Sequence, residues 1–173
     1  MSTIRRYWHF VLLAGAALVA ASCGDRAQPA GPGPDASLVG GLVQNTGLVS
    51  CTPLSYDSVT QTIGPAGGTI VVGPHVLSIP AGALTDTVTI TAVAAADTVR
   101  RVQFRPEGLT FATAASLRMS YAGCNLLGVL LPKQIAYTDD ALNILEYLLS
   151  LDSPLTQTVT GKLHHFSNYA VAW

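Results

Sequence analysis

Three cysteines carry the most reactive side chains of this sequence, and their positions predict different chemistry for them. Cys23 follows an apolar N-terminal stretch, whereas Cys51 and Cys124 lie further along the chain. A thiol can be acylated, form a disulfide or bind a metal, and the redox state of the compartment favours some of these outcomes over others. The destination of the chain therefore has to be inferred before its cysteines are interpreted.

The N-terminal residues have the organisation of a secretory signal peptide. Arg5 and Arg6 form a positively charged region, and residues 8–21 are mostly apolar. This apolar stretch is shorter than the roughly 20 residues of a membrane span, and it ends in small residues. The sequence therefore predicts a signal peptide over residues 1–22 and export of the chain.

The residues before Cys23 are Ala20, Ala21 and Ser22, and this ending resembles a bacterial lipobox. The resemblance implies that the Cys23 thiol receives a diacylglyceryl group and that the chain is held at the membrane by lipid. Gly24 follows Cys23, and by similarity to enteric lipoproteins the lack of Asp at this position favours the outer membrane over the inner one. The alternative is an ordinary signal peptide cut at the same place, which leaves Cys23 as a plain thiol.

Export makes a disulfide the expected state of the other two cysteines. Cys51 and Cys124 are the pair that remains after Cys23 is lipidated. A loop of this length, once closed, would stabilise the fold by about 4 kcal/mol if the effect comes from the lower entropy of the unfolded chain. We predict a Cys51–Cys124 disulfide, with two buried thiols as the alternative.

The composition excludes several classes of protein. Of the 173 residues, 49% are hydrophobic and 11% are charged, and the formal net charge is -1. So apolar a chain is not a disordered polyelectrolyte, and the balanced charge lacks the basic patch that nucleic-acid binding requires. Its apolar residues are also too dispersed for a protein with several membrane spans.

The rest of the chain divides into a tether and a β-rich domain. Residues 23–50 begin with a Pro/Gly-rich run, which predicts a flexible tether. Residues 51–173 alternate apolar and polar side chains between short Gly- and Pro-containing turns, and this pattern predicts an all-β, single antiparallel β-sandwich domain. Residues 141–151 fit either a buried strand or a short helix. The predicted strands cover residues 58–63, 69–72, 75–79, 87–92, 101–104, 116–121, 134–137, 156–163 and 166–173.

Three glycines are expected to shape the turns. Gly67 and Gly68 allow positive φ before a strand, and Gly82 permits the bend that returns Leu84 to the core. Pro80 ends a ladder because it has no N–H group to donate. These residues supply structure, and none of them supplies an acid, a base or a nucleophile.

Several motifs occur in the order found in one known family. They are residues 63–69 (IGPAGGT), 75–84 (HVLSIPAGAL), 88–90 (VTI), 106–111 (PEGLTF) and 165–171 (HFSNYAV). From Thr62 to Trp173 the chain resembles the ZU-five domain family, the β-rich modules of ankyrins, zonula occludens proteins and netrin receptors. The resemblance implies a β-sandwich that acts as a protein-interaction platform.

The tripeptide His165-Phe166-Ser167 is similar to the self-cleavage site of some ZU-five proteins, in which the chain breaks between Phe and Ser. The resemblance implies that Ser167 Oγ attacks the Phe166 carbonyl with His165 as general base, and that water hydrolyses the resulting ester. The alternative is structural: His165 caps a bend, Phe166 enters the core and Ser167 bonds locally.

No other pattern predicts catalysis, a metal or a cofactor. His164 and His165 are adjacent, so on a strand they point to opposite faces and cannot share one ion. His75 stands alone on another predicted strand, and Asp139 with Asp140 has the character of a solvated turn. We therefore expect no metal, no cofactor and no conventional hydrolase.

These observations favour a non-enzymatic, lipid-anchored protein of the bacterial cell envelope with a structural or protein-binding domain. A self-processing domain is the first alternative, and a carbohydrate-binding module is the second. The expected partner is another envelope protein or a polysaccharide. A sugar site would use exposed aromatic side chains, for which the candidates are Tyr56, Tyr137, Tyr147, Tyr169 and Trp173.

Overall fold

Alternating apolar residues build strands that bury one face, as the sequence predicts. In the strand 88–94, Ile90, Ala92 and Ala94 are buried, whereas the alternating residues Thr89, Thr91 and Val93 are not. The computed structural model describes residues 47–125 and 131–173. The strands of this part of the chain are β1 (Asp57–Ile63), β2 (Gly68–Val72), β3 (His75–Ile79), β4 (Val88–Ala94), β5 (Arg101–Arg105), β6 (Thr110–Ser120), β7 (Gln134–Thr138), β8 (Ile144–Leu148), β9 (Ser150–Ser153), β10 (Thr158–His165) and β11 (Asn168–Ala172).

The strands form two antiparallel sheets that pack face to face. The six-stranded sheet has the order β1-β4-β5-β11-β7-β8, and the five-stranded sheet has the order β2-β3-β6-β10-β9. One large hydrophobic cluster, which includes Phe104, Leu117 and Tyr169, fills the space between them. The predicted all-β sandwich is confirmed.

The segment 141–151, for which the sequence allowed a strand or a helix, contributes to two strands. β8 pairs with β7 at the edge of the six-stranded sheet. β9 pairs with β10 at the edge of the five-stranded sheet, and Leu149 is the single residue between β8 and β9. The chain therefore crosses from one sheet to the other at this side of the sandwich.

β11 lies in the middle of the six-stranded sheet, between β5 and β7. All five of its residues are buried. Tyr169 and Val171 face the main core, Ala170 and Ala172 belong to a second cluster with Leu48, and Asn168 donates a hydrogen bond to Asp140. A strand buried on both faces reads as a continuous apolar run, which explains the small apolar residues here.

Residues 47–50, which the sequence assigned to the tether, pair with the domain. The Val49 N–H donates to the Val171 carbonyl oxygen at 2.9 Å, and Leu48 and Ser50 form isolated bridges with Ala172 and Val99. Leu48 and Val49 are both buried. The signal peptide, Cys23 and the tether up to residue 46 lie outside the described residues.

The glycine turn before β2 has the backbone that the sequence predicts at one of its two positions. Gly67 has φ +74°, and a Cβ there would overlap the Ile79 carbonyl oxygen and lie 2.7 Å from the Pro80 carbonyl carbon. Gly68 instead begins β2 without a positive φ, so its expected role is corrected. Gly82 has φ +76°, and Leu84 beyond it is buried as predicted.

Candidate functional site

The tripeptide at residues 165–167 lies where the chain crosses from the five-stranded sheet to the six-stranded sheet. His165 ends β10, and Phe166 and Ser167 connect it to β11. The Phe166 N–H donates to the Leu109 carbonyl oxygen at 2.7 Å, and the Phe166 carbonyl oxygen accepts from the Gly108 N–H at 2.9 Å. The second bond holds the carbonyl group that cleavage between Phe166 and Ser167 would attack.

The Phe166 side chain packs in the core between two other phenylalanines. Its ring stacks on Phe104 with centroids 5.1 Å apart, and Phe111 meets it edge-on at 5.0 Å. Such aromatic pairs contribute about 0.5–1.5 kcal/mol beyond the area that they bury. Phe166 therefore has the structural role that the sequence allowed.

The His165 imidazole contacts two tyrosines. Its ring meets Tyr137 edge-on at 5.0 Å, and its Nδ1 lies 3.5 Å from the Tyr169 hydroxyl. The Tyr169 O–H donates to the His165 carbonyl oxygen at 2.6 Å, and burial together with Tyr137 and Glu146 raises the Tyr169 pKa, so this phenol stays a donor. Within the described part of the chain, no hydrogen bond joins His165 to Ser167.

The Ser167 hydroxyl is buried without a hydrogen-bond partner among the residues described. A buried polar group without a hydrogen bond lowers the stability of the fold. Such groups occur at strained or catalytic positions. The geometry thus supplies a free nucleophile and a carbonyl bonded to the Gly108 N–H, but not a base in contact with the nucleophile. Self-cleavage between Phe166 and Ser167 stays a prediction.

The predicted disulfide is confirmed at the opposite end of the sandwich. Cys51 and Cys124 are bonded and also form an isolated antiparallel bridge. The Thr52 N–H donates to the Gly123 carbonyl oxygen at 2.9 Å, and the Cys51 N–H donates to the Thr98 carbonyl oxygen at 2.8 Å. The disulfide thus joins two segments that backbone hydrogen bonds already align.

A buried arginine beside the disulfide was not predicted from the sequence. Arg100 is 3% exposed, and its Nη2 donates to the Ala122 carbonyl oxygen at 2.7 Å and to the Thr52 carbonyl oxygen at 3.4 Å. Burial lowers its pKa from the usual value, and nearby Asp97 opposes this shift. Arg100 bonds both segments that the disulfide connects, a role that no sequence motif signals.

His75 is buried near Arg100 and is held neutral. The Ser120 N–H donates to its Nδ1 at 3.3 Å, which places the proton on Nε2. Burial and, to a lesser degree, the charge of Arg100 lower the His75 pKa from 6.5 to about 4. Both side chains bond to the stretch 120–122, so the two converge on one turn.

The acidic pair in the β7–β8 connection is engaged in local bonds. Asp139 accepts from the Asn143 N–H and from Asn143 Nδ2, both at 2.8 Å, and these bonds lower the Asp139 pKa. Asp140 accepts from Asn168 Nδ2 at 2.7 Å. Across residues 47–125 and 131–173, no group of three or more His, Cys, Asp or Glu side chains is arranged to hold a metal ion.

One lateral side of the sandwich exposes a row of leucines, which we call the leucine edge: Leu145, Leu149, Leu151 and Leu155. Their exposed fractions are 54%, 93%, 80% and 100%. Three of them stand at every second position from 145 to 151, with Tyr147 between, as on one face of an extended chain. This exposed face was not predicted because the run 144–149 is almost wholly apolar and no apolar–polar alternation marks it.

A cavity of about 540 Å³ lies beside the leucine edge, where β8 passes to β9. It is lined by Leu148 and Leu149 on its apolar side and by Glu146, Lys162 and His164 on its polar side. No aromatic ring lines it. Of the aromatic candidates for a sugar site, Tyr169 is in the core, Tyr137 is half-buried, and Tyr56, Tyr147 and Trp173 are exposed.

Two sequence comparisons, with protein-family models and with curated proteins, found no relative. In the described residues, no helix is long and apolar enough to cross a membrane. A function for this protein therefore has to be inferred from its own residues and their geometry.

Proposed function

We propose that the chain is an exported, membrane-anchored bacterial lipoprotein whose β-sandwich is a protein-interaction domain of the cell envelope. The leucine edge is the observation that carries this proposal. Five of the nine large hydrophobic side chains exposed in the described residues lie between 145 and 155. Exposed apolar residues gathered at one place are typical of protein-binding surfaces.

The position of these leucines supports the same proposal. β8 and β9 are the edge strands of the two sheets, and an exposed edge favours pairing with other chains. Proteins usually protect such edges with charged side chains or proline. Here Glu146, Asp152 and Pro154 are present, but four exposed leucines project beside them. A partner that covers the leucine edge would bury this apolar surface, which contributes about 25 cal/mol for each Å² removed from water.

The disulfide supports the exported location. Disulfides persist in oxidising compartments and are rare in the reducing cytosol of most organisms. The lipid anchor at Cys23 rests on the signal peptide and the lipobox-like residues before it. An anchored domain needs no membrane-binding surface of its own, because several acyl chains suffice for stable attachment.

The surface favours a protein partner over a polysaccharide. Sugar-binding sites commonly present aromatic rings, and the rings exposed here do not line the cavity beside the leucine edge. The resemblance to ZU-five domains, which act as interaction platforms, agrees with a protein partner. We propose no enzymatic activity for this edge, since leucine supplies no acid, base or nucleophile.

The test is detergent extraction of the protein from envelopes of an expressing bacterium, followed by sizing of the particle and intact-mass analysis. We expect acylated Cys23 at the N-terminus and a particle larger than one chain. The Leu151→Ser/Leu155→Ser variant should remain folded, because both side chains are already exposed, and should run as a single chain.

The matched control is Ser58→Ala/Gln61→Ala on β1, the opposite edge strand, which should leave the particle unchanged. A wild-type protein that runs as one chain, or a leucine variant that retains the larger particle, would contradict binding through the leucine edge. An N-terminal Cys23 without acyl groups would contradict the anchor alone.

A further inference from the structure

The five-stranded sheet has an incomplete edge next to the cavity. β9 pairs with β10 only from Thr158 to Gly161. β10 continues to His165, and its other side is occupied by β6. Residues 162–165, which we call the open edge, therefore have no strand beside them on the β9 side within the described part of the chain.

The cavity of about 540 Å³ borders the open edge and extends over the outer face of the sheet. It is lined by Lys162 and His164 of β10, by Thr113 and Ala114 of β6, and by Leu148 and Leu149. An antiparallel strand lies about 4.8 Å from its neighbour, and four extended residues span about 13 Å. A short extended segment in this position would continue the line of β9.

Two charged side chains of the cavity lining, Lys162 and Glu146, form no ion pair within the described residues. Lys162 and Glu146 are both exposed, and neither belongs to the ion pairs Arg101–Asp97 and Arg105–Glu107 formed within the described residues. Residues directly opposite each other on antiparallel strands share a face, and opposite charges there attract. A residue placed opposite Lys162 is therefore favoured when it is acidic.

We propose that an extended segment of a protein partner adds to the open edge as a strand antiparallel to β10, with an acidic side chain opposite Lys162. Strand addition derives its affinity from main-chain hydrogen bonds and its specificity from alternate side chains. This inference rests on the proposed function because it takes the partner to be a protein, and it assigns the mode of binding and the chemistry of the bound segment.

The cavity also defines the residues next to the acidic one. Leu148 and Leu149 provide an apolar wall, and the Glu146 carboxylate lies in the same lining. A second acidic side chain beside the first would meet Glu146 and be repelled. The preferred segment therefore has one acidic residue flanked by apolar ones, and a run of acidic residues is disfavoured.

The probes are two acetylated and amidated heptapeptides of alternating valine and threonine, one with a central glutamate and one with a central lysine. Binding to the full mature protein is measured by fluorescence anisotropy. We expect the glutamate peptide to bind about tenfold more tightly than the lysine peptide, and the Lys162→Glu variant to reverse this order. The backbone amides of Lys162 and His164, which point away from β6, should exchange more slowly with deuterium when the peptide is bound.

The matched control is Arg118→Glu on β6, an exposed position of the same sheet, which should leave the preference unchanged. Failure of both peptides to bind, equal binding of the two, or protection elsewhere on the domain would overturn strand addition. Leu151 and Leu155 do not line the cavity, so their double variant tests the proposed function separately. If strand addition fails but the double variant loses the larger particle, binding through the leucine edge is still supported.

Discussion

The two ends of the sandwich hold their buried polar groups in different ways. At the disulfide end, a covalent bond, a buried guanidinium and a neutral histidine meet around the turn that follows β6. At the other end, around the β10–β11 connection, the packing is aromatic, and the buried hydroxyl of Ser167 bonds to nothing among the described residues. Polar contacts should thus stabilise the first end, whereas apolar packing stabilises the second.

Two further buried polar atoms near Ser167, at the second end, also lack hydrogen-bond partners among residues 47–125 and 131–173. Thr138 Oγ1 and Asn168 Oδ1 are buried without partners in the described residues, and the two residues are neighbours on β7 and β11. The disulfide end has unpaired donors as well, on His75 Nε2 and Arg100 Nε, but both of these side chains make other hydrogen bonds, whereas at the second end only Asn168 does so, to Asp140. The difference predicts unequal responses to mutation, reduction and pH.

The largest effect is expected from the disulfide. The Cys51→Ser/Cys124→Ser variant should lose about 4 kcal/mol of unfolding free energy, because the loop between the cysteines is no longer constrained in the unfolded chain. Urea denaturation of the oxidised protein, the reduced protein and the variant measures this loss. The reduced protein should resemble the variant, and a denaturation midpoint that is the same in all three would contradict the prediction.

The next effect is a loss of stability in acid that originates at His75. Its pKa is about 4 in the folded state against 6.5 for an unperturbed histidine, so the unfolded chain binds more protons between these pH values. The contribution of neutral His75 to the unfolding free energy is fully present above pH 6.5. It falls by about 3 kcal/mol as the pH drops toward 4. Urea denaturation at a series of pH values measures this decrease.

The control for this pH dependence is His75→Asn, which keeps an acceptor for the Ser120 N–H but does not titrate. The difference in unfolding free energy between wild type and variant should shrink or reverse as the pH falls from 6.5 to 4. Parallel curves over that range would show that other groups, and not His75, cause the acid sensitivity.

The smallest expected change in unfolding free energy comes from removing one hydroxyl group at each end of the sandwich. Tyr121→Phe should cost about 2 kcal/mol, because the Tyr121 O–H donates to the Asp152 carboxylate at 2.7 Å. Ser167→Ala should be neutral or stabilise by about 1 kcal/mol, since its hydroxyl has no partner to lose within the described residues. Chemical denaturation of the two variants compares them directly.

A loss of similar size in both variants would remove the distinction between the two ends. The Ser167→Ala protein also tests self-cleavage, because a separate peptide of residues 167–173 that is present in wild type and missing in the variant would establish it. Full-length mature chain in both proteins would contradict self-cleavage.

The strands were predictable because their residues alternate and their turns contain glycine and proline. Gly67 and Pro80 mark strand ends that the structure confirms. The segment 141–151 was not predictable, because a run of apolar residues has no period that separates a buried strand from a helix. Its two strands belong to different sheets, and pairing between sheets depends on residues far away in the sequence.

The candidate sites were predictable only in part. The pairing of Cys51 with Cys124 could be predicted from the number of cysteines and the predicted export. The surroundings of His165 could not, because they depend on Tyr137, which the pairing of β7 with β11 brings close. Leu149 and Leu151 appeared as core residues because hydrophobicity alone does not report exposure. A sequence motif also does not reveal that β9 is shorter than β10.

The position of β11 has a consequence for how the domain assembles. The six-stranded sheet consists of β1, β4 and β5 on one side and β7 and β8 on the other, and β11 joins them although it is the last of these strands in sequence. For an exported chain, the two parts of the sheet cannot unite until residues 168–172 have crossed the membrane. Until then the unpaired edges of β5 and β7 remain open to other chains, so this protein would depend on chaperones during secretion.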